Sequence, residues 1–175
     1  MSAAEDDKTP ARIILGWWSH ALADRQSGRA RALAARLRRA SPVEALAERE
    51  VHDLAGALNL RDGLRLTRIV TLLAEVRTHS PQTLMQRLGG PDPALSPLRF
   101  QRLMRASVEE LPDALRRAIG LAERSCNVAA LGEDLLYWSE KTRLRWSFQY
   151  FGGAAPLSLS IGSPSGGTPS KETTE

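Results

Sequence analysis

The chain has very little of what several classes of protein require. It contains a single cysteine, Cys126, so it can form no internal disulfide and lacks the cysteines of a multi-cysteine zinc module. No stretch approaches the roughly 18 to 20 consecutive apolar residues of a membrane-spanning helix. The first residues are acidic where a signal peptide needs a basic region and an apolar run. We therefore expect a soluble, cytoplasmic protein with no membrane partner.

Catalytic patterns are equally scarce. The sequence has no Gly-x-x-x-x-Gly-Lys phosphate loop and no Gly-x-Gly-x-x-Gly motif. Its three histidines, His20, His52 and His79, form no His-x-x-x-His pair. His52 and Asp53 suggest a metal-dependent nuclease, but such a site needs further ligands. We predict that the protein is not an enzyme, with no catalytic residues, metal site, cofactor or small-molecule substrate.

Arginine is the residue that the sequence has in excess. Of its 24 basic residues 21 are arginine, and the formal net charge is +4. Between Arg12 and Ala40, seven arginines accompany one acidic residue, Asp24. Because arginine stays protonated and its planar guanidinium matches phosphate oxygens, this clustering favours a polyanionic partner. The alternative is a solvated surface.

Capping signals divide the chain into segments with the apolar spacing of helices. Ser41, Pro42 and Glu44 form a capping box at a helix start, and Ser-Pro recurs at 80–81 and 96–97. No segment shows the alternation of a strand. We predict an all-α fold with about eight helices, near 10–24, 28–40, 42–58, 63–78, 81–88, 97–106, 108–125 and 128–150.

A loop rich in Gly and Pro at 89–93 divides the helical region. We predict a flexible acidic N-terminus at 1–11, an N-terminal helical lobe with the Arg-rich helix at 12–88, and a C-terminal helical lobe at 95–151. The two small helical bundles would form a dumbbell. The stretch 152–175 is rich in Gly, Ser, Pro and Thr, and its few large apolar residues cannot offset the entropy of ordering. We expect a disordered tail there.

Two rows of arginines are candidate contacts for nucleic acid. One lies on the predicted helix 28–40, which Arg25 joins if the helix runs back through Gly28, and the other on the predicted helix 97–106. Such rows follow a sugar-phosphate backbone without reading bases. The alternative for the first row is pairing with acidic residues of the next helix. The first row contains Arg29, Arg36 and Arg39, with Arg25 as its extension, while Arg31 and Arg38 share a different, exposed side of the same helix. The second row contains Arg99, Arg102 and Arg105, and the acidic residues are Glu44, Glu48 and Glu50.

A third basic group lies among aromatic residues near the end of the helical region. Lys141, Arg143 and Arg145 fall between Trp138 and Trp146. Aromatic side chains between basic residues can stack on bases, and we take Lys141 and Arg143 as candidate nucleic-acid contacts. The alternative is that the aromatic side chains pack in the core or at an interface.

Several short motifs, taken in order, resemble one known family. They are Trp17-Trp18, Gly28-Arg29-Ala30, Leu37-Arg38-Arg39-Ala40, Arg99-Phe100-Gln101-Arg102-Leu103, Leu131 with Asp134-Leu135 and Trp138, and Arg145-Trp146 with Tyr150. No single motif is diagnostic, but the order and spacing together are specific. The chain resembles CasB, the small subunit of the type I-E Cascade CRISPR surveillance complex.

The resemblance implies an all-helical, non-catalytic subunit, present as two copies packed head to tail. It implies contacts with the backbone and large Cascade subunits, the guide RNA and both target-DNA strands of the R-loop. Residue by residue, it points to Arg29, Arg38, Arg39, Arg99 and Arg102. The expected function is sequence-independent backbone binding that stabilises the R-loop in antiviral defence. The alternative is a stand-alone helical adaptor whose arginines bind acidic patches on a protein.

Overall fold

The computed structural model describes residues 9–153, which form ten helices and two very short strands. The prediction of a helical fold is confirmed for this part of the chain. The predicted tail lies outside the described residues from residue 154 on, as do residues 1–8 of the predicted flexible N-terminus. The elements are α1 (Pro10–Ala21), α2 (Gly28–Arg39), α3 (Pro42–Ala45), α4 (Arg49–Leu58), α5 (Gly63–Leu73), β1 (Thr78–His79), α6 (Leu84–Leu88), α7 (Pro97–Arg105), α8 (Leu111–Leu121), β2 (Ser125–Cys126), α9 (Val128–Leu136) and α10 (Glu140–Tyr150).

Side-chain caps fix several helix starts where the sequence places them. The Ser41 hydroxyl accepts from the Glu44 backbone at 3.3 Å, and the Glu44 carboxylate accepts from the Ser41 backbone at 2.7 Å. Ser96 accepts from the backbone N–H of Arg99 and begins α7. Both predicted starts are confirmed. Each cap stabilises its helix because it satisfies N–H groups that a helix leaves unpaired at its first turn.

Several of the predicted helix bounds are wrong, among them 63–78, because α5 ends at Leu73 and β1 begins at Thr78. The segment 42–58 divides at Glu48, whose extended backbone begins α4, and 128–150 divides at Ser139, which caps α10. Ser80 begins no helix, since its hydroxyl accepts from the Gln82 backbone and stabilises a turn. Helix α6 begins later, at a capping box formed by Thr83 and Gln86. Uninterrupted helices were expected because apolar spacing alone continues across such short breaks.

The two strands form a parallel pair, with Thr78 opposite Ser125 and His79 opposite Cys126. No strand was predicted, because alternation cannot be recognised in two residues. The pair joins the segment after α5 to the segment after α8 and extends through a 2.8 Å hydrogen bond from the Arg77 N–H to the Arg124 carbonyl.

The core is one cluster of buried apolar side chains that draws on both predicted lobes. Helix α9, from 95–151, packs against α1 and α5 of 12–88, while α6 packs against α8 and α10. Gly132 permits the close approach of α9 to α1, since an added Cβ would lie 2.4 Å from the Ile14 Cγ2. The two sequence ranges thus contribute helices to each other's packing, and the dumbbell arrangement stays a prediction.

Polar groups of the C-terminal motifs hold this packing together. The buried Asp134 carboxylate on α9 accepts from the Trp146 Nε1 at 2.6 Å and from the Arg145 guanidinium on α10. Burial raises the pKa of Asp134, and the hydrogen bond from Trp146 and the charge of Arg145 act in the opposite direction. The Tyr150 hydroxyl donates to the Leu95 carbonyl at 2.5 Å. These motif residues are therefore structural.

Candidate nucleic-acid interface

Helix α2 carries its arginines around an apolar face that is buried in the core. Ser27 caps the helix through the backbone N–H of Ala30, and Ala30, Leu33, Ala34 and Leu37 are buried. Outside this face, Arg29 donates to Glu50 at 3.0 Å. Arg36 makes a bidentate pair with Glu48, at 2.6 and 3.0 Å. The hydrogen bond with Glu48 raises the pKa of Arg36. The alternative interpretation, pairing with the next segment, thus describes Arg29 and Arg36.

Arg25 does not extend the row, because α2 begins at Gly28. Its guanidinium turns inward and donates to the carbonyls of Ala74 at 3.1 Å and Val76 at 3.2 Å, just after α5. Burial lowers the pKa of Arg25, and the nearby arginines, Arg38 first among them, lower it further. Arg25 is therefore part of the packing between the end of α1 and the end of α5.

Arg38 and Arg39, on the last turn of α2, line a pocket of about 350 Å³. The other lining residues are Glu75, Arg116 and Arg124. The Glu75 carboxylate is buried, with 7% of its side chain exposed, and accepts from Arg116 at 3.1 Å and from Arg124 at 2.8 Å. Within residues 9–153, neither Arg38 nor Arg39 forms an ion pair. We call this site the Glu75 pocket.

The second row lies on α7, where Phe100 and Leu103 are buried and Arg99, Arg102 and Arg105 are exposed. These three arginines line a groove of about 1010 Å³ between α7 and α8, together with Arg117 of α8. In the described part of the chain, none of the four forms an ion pair. We call this site the α7–α8 groove.

Two carboxylates also line the α7–α8 groove, and both already have partners. Glu110 accepts a hydrogen bond from the Ser107 backbone at 3.0 Å. Asp113 pairs with Arg116 at 3.0 Å on the same helix. The four arginines therefore keep a local excess of positive charge, which attracts anions into the groove.

The third basic group divides in the structure. Lys141 is exposed, whereas Arg143 is half-buried with its guanidinium carbon 5.5 Å from the centre of the Trp138 ring. Trp138 also packs edge-to-face against the buried Trp146. These two aromatic rings belong to the packing around α10, as the alternative interpretation expected, and Lys141 is the group's exposed cation.

His52 lies on α4 and Cys126 on β2, so these two chemically reactive residues belong to different elements. Exposed His52 makes a 2.6 Å hydrogen bond with the Leu46 carbonyl, and no group of three or more metal-ligating side chains occurs within residues 9–153. Cys126 is buried in β2, and desolvation raises the pKa of its thiol to about 12. It therefore stays a thiol at neutral pH, and the thiolate is the nucleophilic form.

Three arginines that the structure brings into the sites were not predicted from the sequence. Arg117 lies in the α7–α8 groove, and Arg116 and Arg124 lie in the Glu75 pocket. The adjacent pair Arg116-Arg117 on one helix was the available signal. Because neighbouring helix positions point about 100° apart, this pair serves sites on two sides of α8.

Residues 34–151, more than half of the chain, match the family described as CRISPR-associated protein Cse2. The chain belongs to this family. The resemblance to CasB is thereby confirmed, since CasB and Cse2 are the same family. Membership makes the chain a subunit of the CRISPR Cascade complex, so a stand-alone adaptor is not supported. Neither a curated protein nor a solved structure matches the chain.

The matched range contains both the α7–α8 groove and the Glu75 pocket. It does not reach Trp17-Trp18 or Gly28-Arg29-Ala30, which precede residue 34. None of the helices within 9–153 combines the length and the apolar character of a membrane span.

Proposed function

We propose that the chain is a non-catalytic, cytoplasmic Cascade subunit that binds nucleic-acid backbone without sequence specificity. In this role it would stabilise the R-loop during target DNA recognition in antiviral defence. The observation that carries the proposal is the α7–α8 groove, where four arginines have no acidic partner within residues 9–153. Free guanidiniums make charge-assisted, often bidentate hydrogen bonds with phosphate oxygens.

Contacts with the nucleic-acid backbone would add a small free-energy bias to the exchange of a DNA duplex for a guide RNA–DNA heteroduplex, which is otherwise nearly balanced. Forming a guide RNA–DNA heteroduplex costs about as much pairing energy as it returns, so contacts with backbone phosphates can decide the outcome. Phosphate contacts position a strand but carry no sequence information. The guide RNA supplies the specificity, and this subunit stabilises the separated target strands.

The proposal includes protein partners, for which α10 offers a surface. Tyr137, Leu144, Phe148 and Phe151 are exposed large apolar side chains in or beside this helix, and Tyr137 and Phe151 are 56% and 70% exposed. Exposed aromatic side chains of this kind are enriched at the cores of protein interfaces. We assign this surface to contacts with a second copy of the chain and with the backbone and large Cascade subunits.

The test is R-loop formation by the reconstituted complex carrying Arg99→Glu and Arg102→Glu. Both side chains are exposed, so the fold should persist. The dissociation constant for a matched DNA target should rise by at least about tenfold, because two attractive phosphate contacts become repulsive. The readout is electrophoretic mobility shift together with permanganate reactivity of the displaced strand.

The matched control is Arg49→Glu with Arg61→Glu, which reverses the charge of two exposed arginines, one at the start of α4 and one just before α5. The helix dipole tolerates a carboxylate near the start of each helix. This variant should assemble and form R-loops like the unmodified complex. If the double variant also assembles and forms R-loops normally, the groove plays no part in target binding.

A further inference from the structure

The Glu75 pocket has more positive charge than its own acidic groups balance. Four guanidiniums line it and one carboxylate lies within it, which leaves an excess of three positive charges. That carboxylate binds Arg116 through one oxygen and Arg124 through the other, and it makes no hydrogen bond with the two arginines of α2 that line the pocket. Asp113 accepts from Arg116 but is not part of the pocket lining.

Further positive charge lies behind the pocket. The Arg25 guanidinium feels the charges of Arg38, Arg77 and Arg124, and its Nε is buried without a hydrogen-bond partner among the described residues. Because like charges held close together repel one another, an anion bound among them would lower this repulsion. The excess positive charge of the pocket therefore favours an anionic ligand.

The backbone conformation around Arg124 also places its side chain in the pocket. Arg124 and the preceding Glu123 both have φ of 57°, a left-handed conformation that is uncommon for residues other than glycine. This turn closes α8 and lets the Arg124 side chain reach Glu75. The Glu75 carboxylate thus acts as a positioning group that holds Arg116 and Arg124 beside the two unpaired arginines.

We propose that the Glu75 pocket is a binding site for a phosphate group, held by Arg38, Arg39 and Arg124. Guanidinium forks match the oxygens of phosphate, and several forks converging on one anion favour a tetrahedral oxyanion over a single carboxylate. The phosphate group has two candidate sources. One is a nucleic-acid backbone that crosses α8 from the α7–α8 groove, and for this source the proposal rests on the proposed function. The other source is free inorganic phosphate.

The first arm of the test uses inorganic phosphate and the full-length chain. Thermal unfolding is followed as phosphate is titrated against sodium chloride at equal ionic strength. Binding should raise the Tm with the logarithm of the phosphate concentration once this exceeds the dissociation constant, by about 3 to 6 °C at ten times that constant. The variant Arg38→Ala with Arg39→Ala should lose this rise. The matched control, Arg29→Ala with Arg31→Ala, removes the same charge from the same helix and should keep it.

The second arm measures the affinity of the same variants for a single-stranded oligonucleotide. If the pocket takes backbone phosphate, the affinity of the Arg38 and Arg39 variant should fall at least about fivefold below that of the control. If it takes only free phosphate, the oligonucleotide affinities should agree while the thermal effect is still lost. If neither the thermal effect nor the affinity distinguishes the two variants, the pocket is not a phosphate site.

Two further variants separate this proposal from the proposed function. Arg38→Lys with Arg39→Lys keeps the charge but removes the forks, so it should lose most of the phosphate-dependent rise in Tm even if the alanine variant folds poorly. Substituting alanine for Arg99, Arg102 and Arg105 should weaken oligonucleotide binding and leave the phosphate-dependent rise intact. If this groove variant instead binds oligonucleotide normally while the pocket variant loses the rise, the groove proposal fails and the pocket proposal stands.

Discussion

Arg29 and Arg36 on α2 differ from the arginine row on α7 in what lies opposite them. Arg29 and Arg36 face Glu50 and Glu48, acidic residues at the start of α4 and just before it, and both form ion pairs. The α7 row faces α8, whose two groove-lining carboxylates already bind the Ser107 backbone and Arg116. We infer from this difference that the partners of a basic residue, more than its number of basic neighbours, decide whether its charge is available to a ligand.

Removing the arginine row of α7 should have the largest effect on the affinity for single-stranded DNA. With alanine at Arg99, Arg102 and Arg105, the isolated chain should bind single-stranded DNA at least about 100-fold more weakly at low salt, since each charge-assisted contact contributes about 1.5 kcal/mol or more. Fluorescence anisotropy with a labelled oligonucleotide measures this. Affinity within threefold of the unmodified chain would mean that the open groove is not the binding surface.

A loss of binding counts for the comparison only if it is distinct from a loss of folding. Asp134→Ala breaks the buried link from α9 to Arg145 and Trp146, and should lower the free energy of unfolding by about 3 kcal/mol. Asp134→Asn retains an acceptor for the Trp146 N–H and should cost less. Denaturant unfolding measures both variants. The folded fraction of each should bind DNA with unchanged affinity, and reduced affinity there would link the α9–α10 packing to binding.

The comparison can be sharpened by removing the acidic partners of Arg29 and Arg36. Glu48→Gln with Glu50→Gln breaks both ion pairs without adding a positive residue. The affinity for single-stranded DNA should then rise by about three- to tenfold, because two more guanidiniums can reach phosphates. Glu44→Gln with Asp53→Asn is the matched control, since neither carboxylate forms an ion pair with an arginine among the described residues. Equal affinities in the two variants would mean that the glutamates do not restrain the row.

Much of the fold follows from local sequence patterns. The Ser41 capping box, the Ser96 cap and the apolar spacing of the helices are interactions within a few residues, and all are present. The breaks at Glu48 and Ser139 and the parallel pair of strands escaped prediction. A two-residue strand depends on a partner 47 residues away in the pairing of Thr78 with Ser125, which no local pattern records.

The candidate sites were predicted less completely, because they too depend on contacts between residues that are far apart in the sequence. Charge composition identified both arginine rows, and the possibility of pairing with Glu48 and Glu50 was evident from their proximity in sequence. The Glu75 pocket combines residues separated by 41 and 49 positions, so its assembly depends on how α5, α8 and the strands pack. Arg117 was missed because α8 has mixed charge and no row of its own.

The most direct test of the account compares the salt dependence of DNA binding for two matched double variants. Each single-strand phosphate contact contributes about −0.7 to the slope of log affinity against log salt concentration. Arg99→Ala with Arg102→Ala should make the slope shallower by about 1.4, while Arg29→Ala with Arg36→Ala should leave it nearly unchanged because those charges already have acidic partners. Equal changes in the two variants would contradict the claim that acidic partners decide which arginines bind nucleic acid.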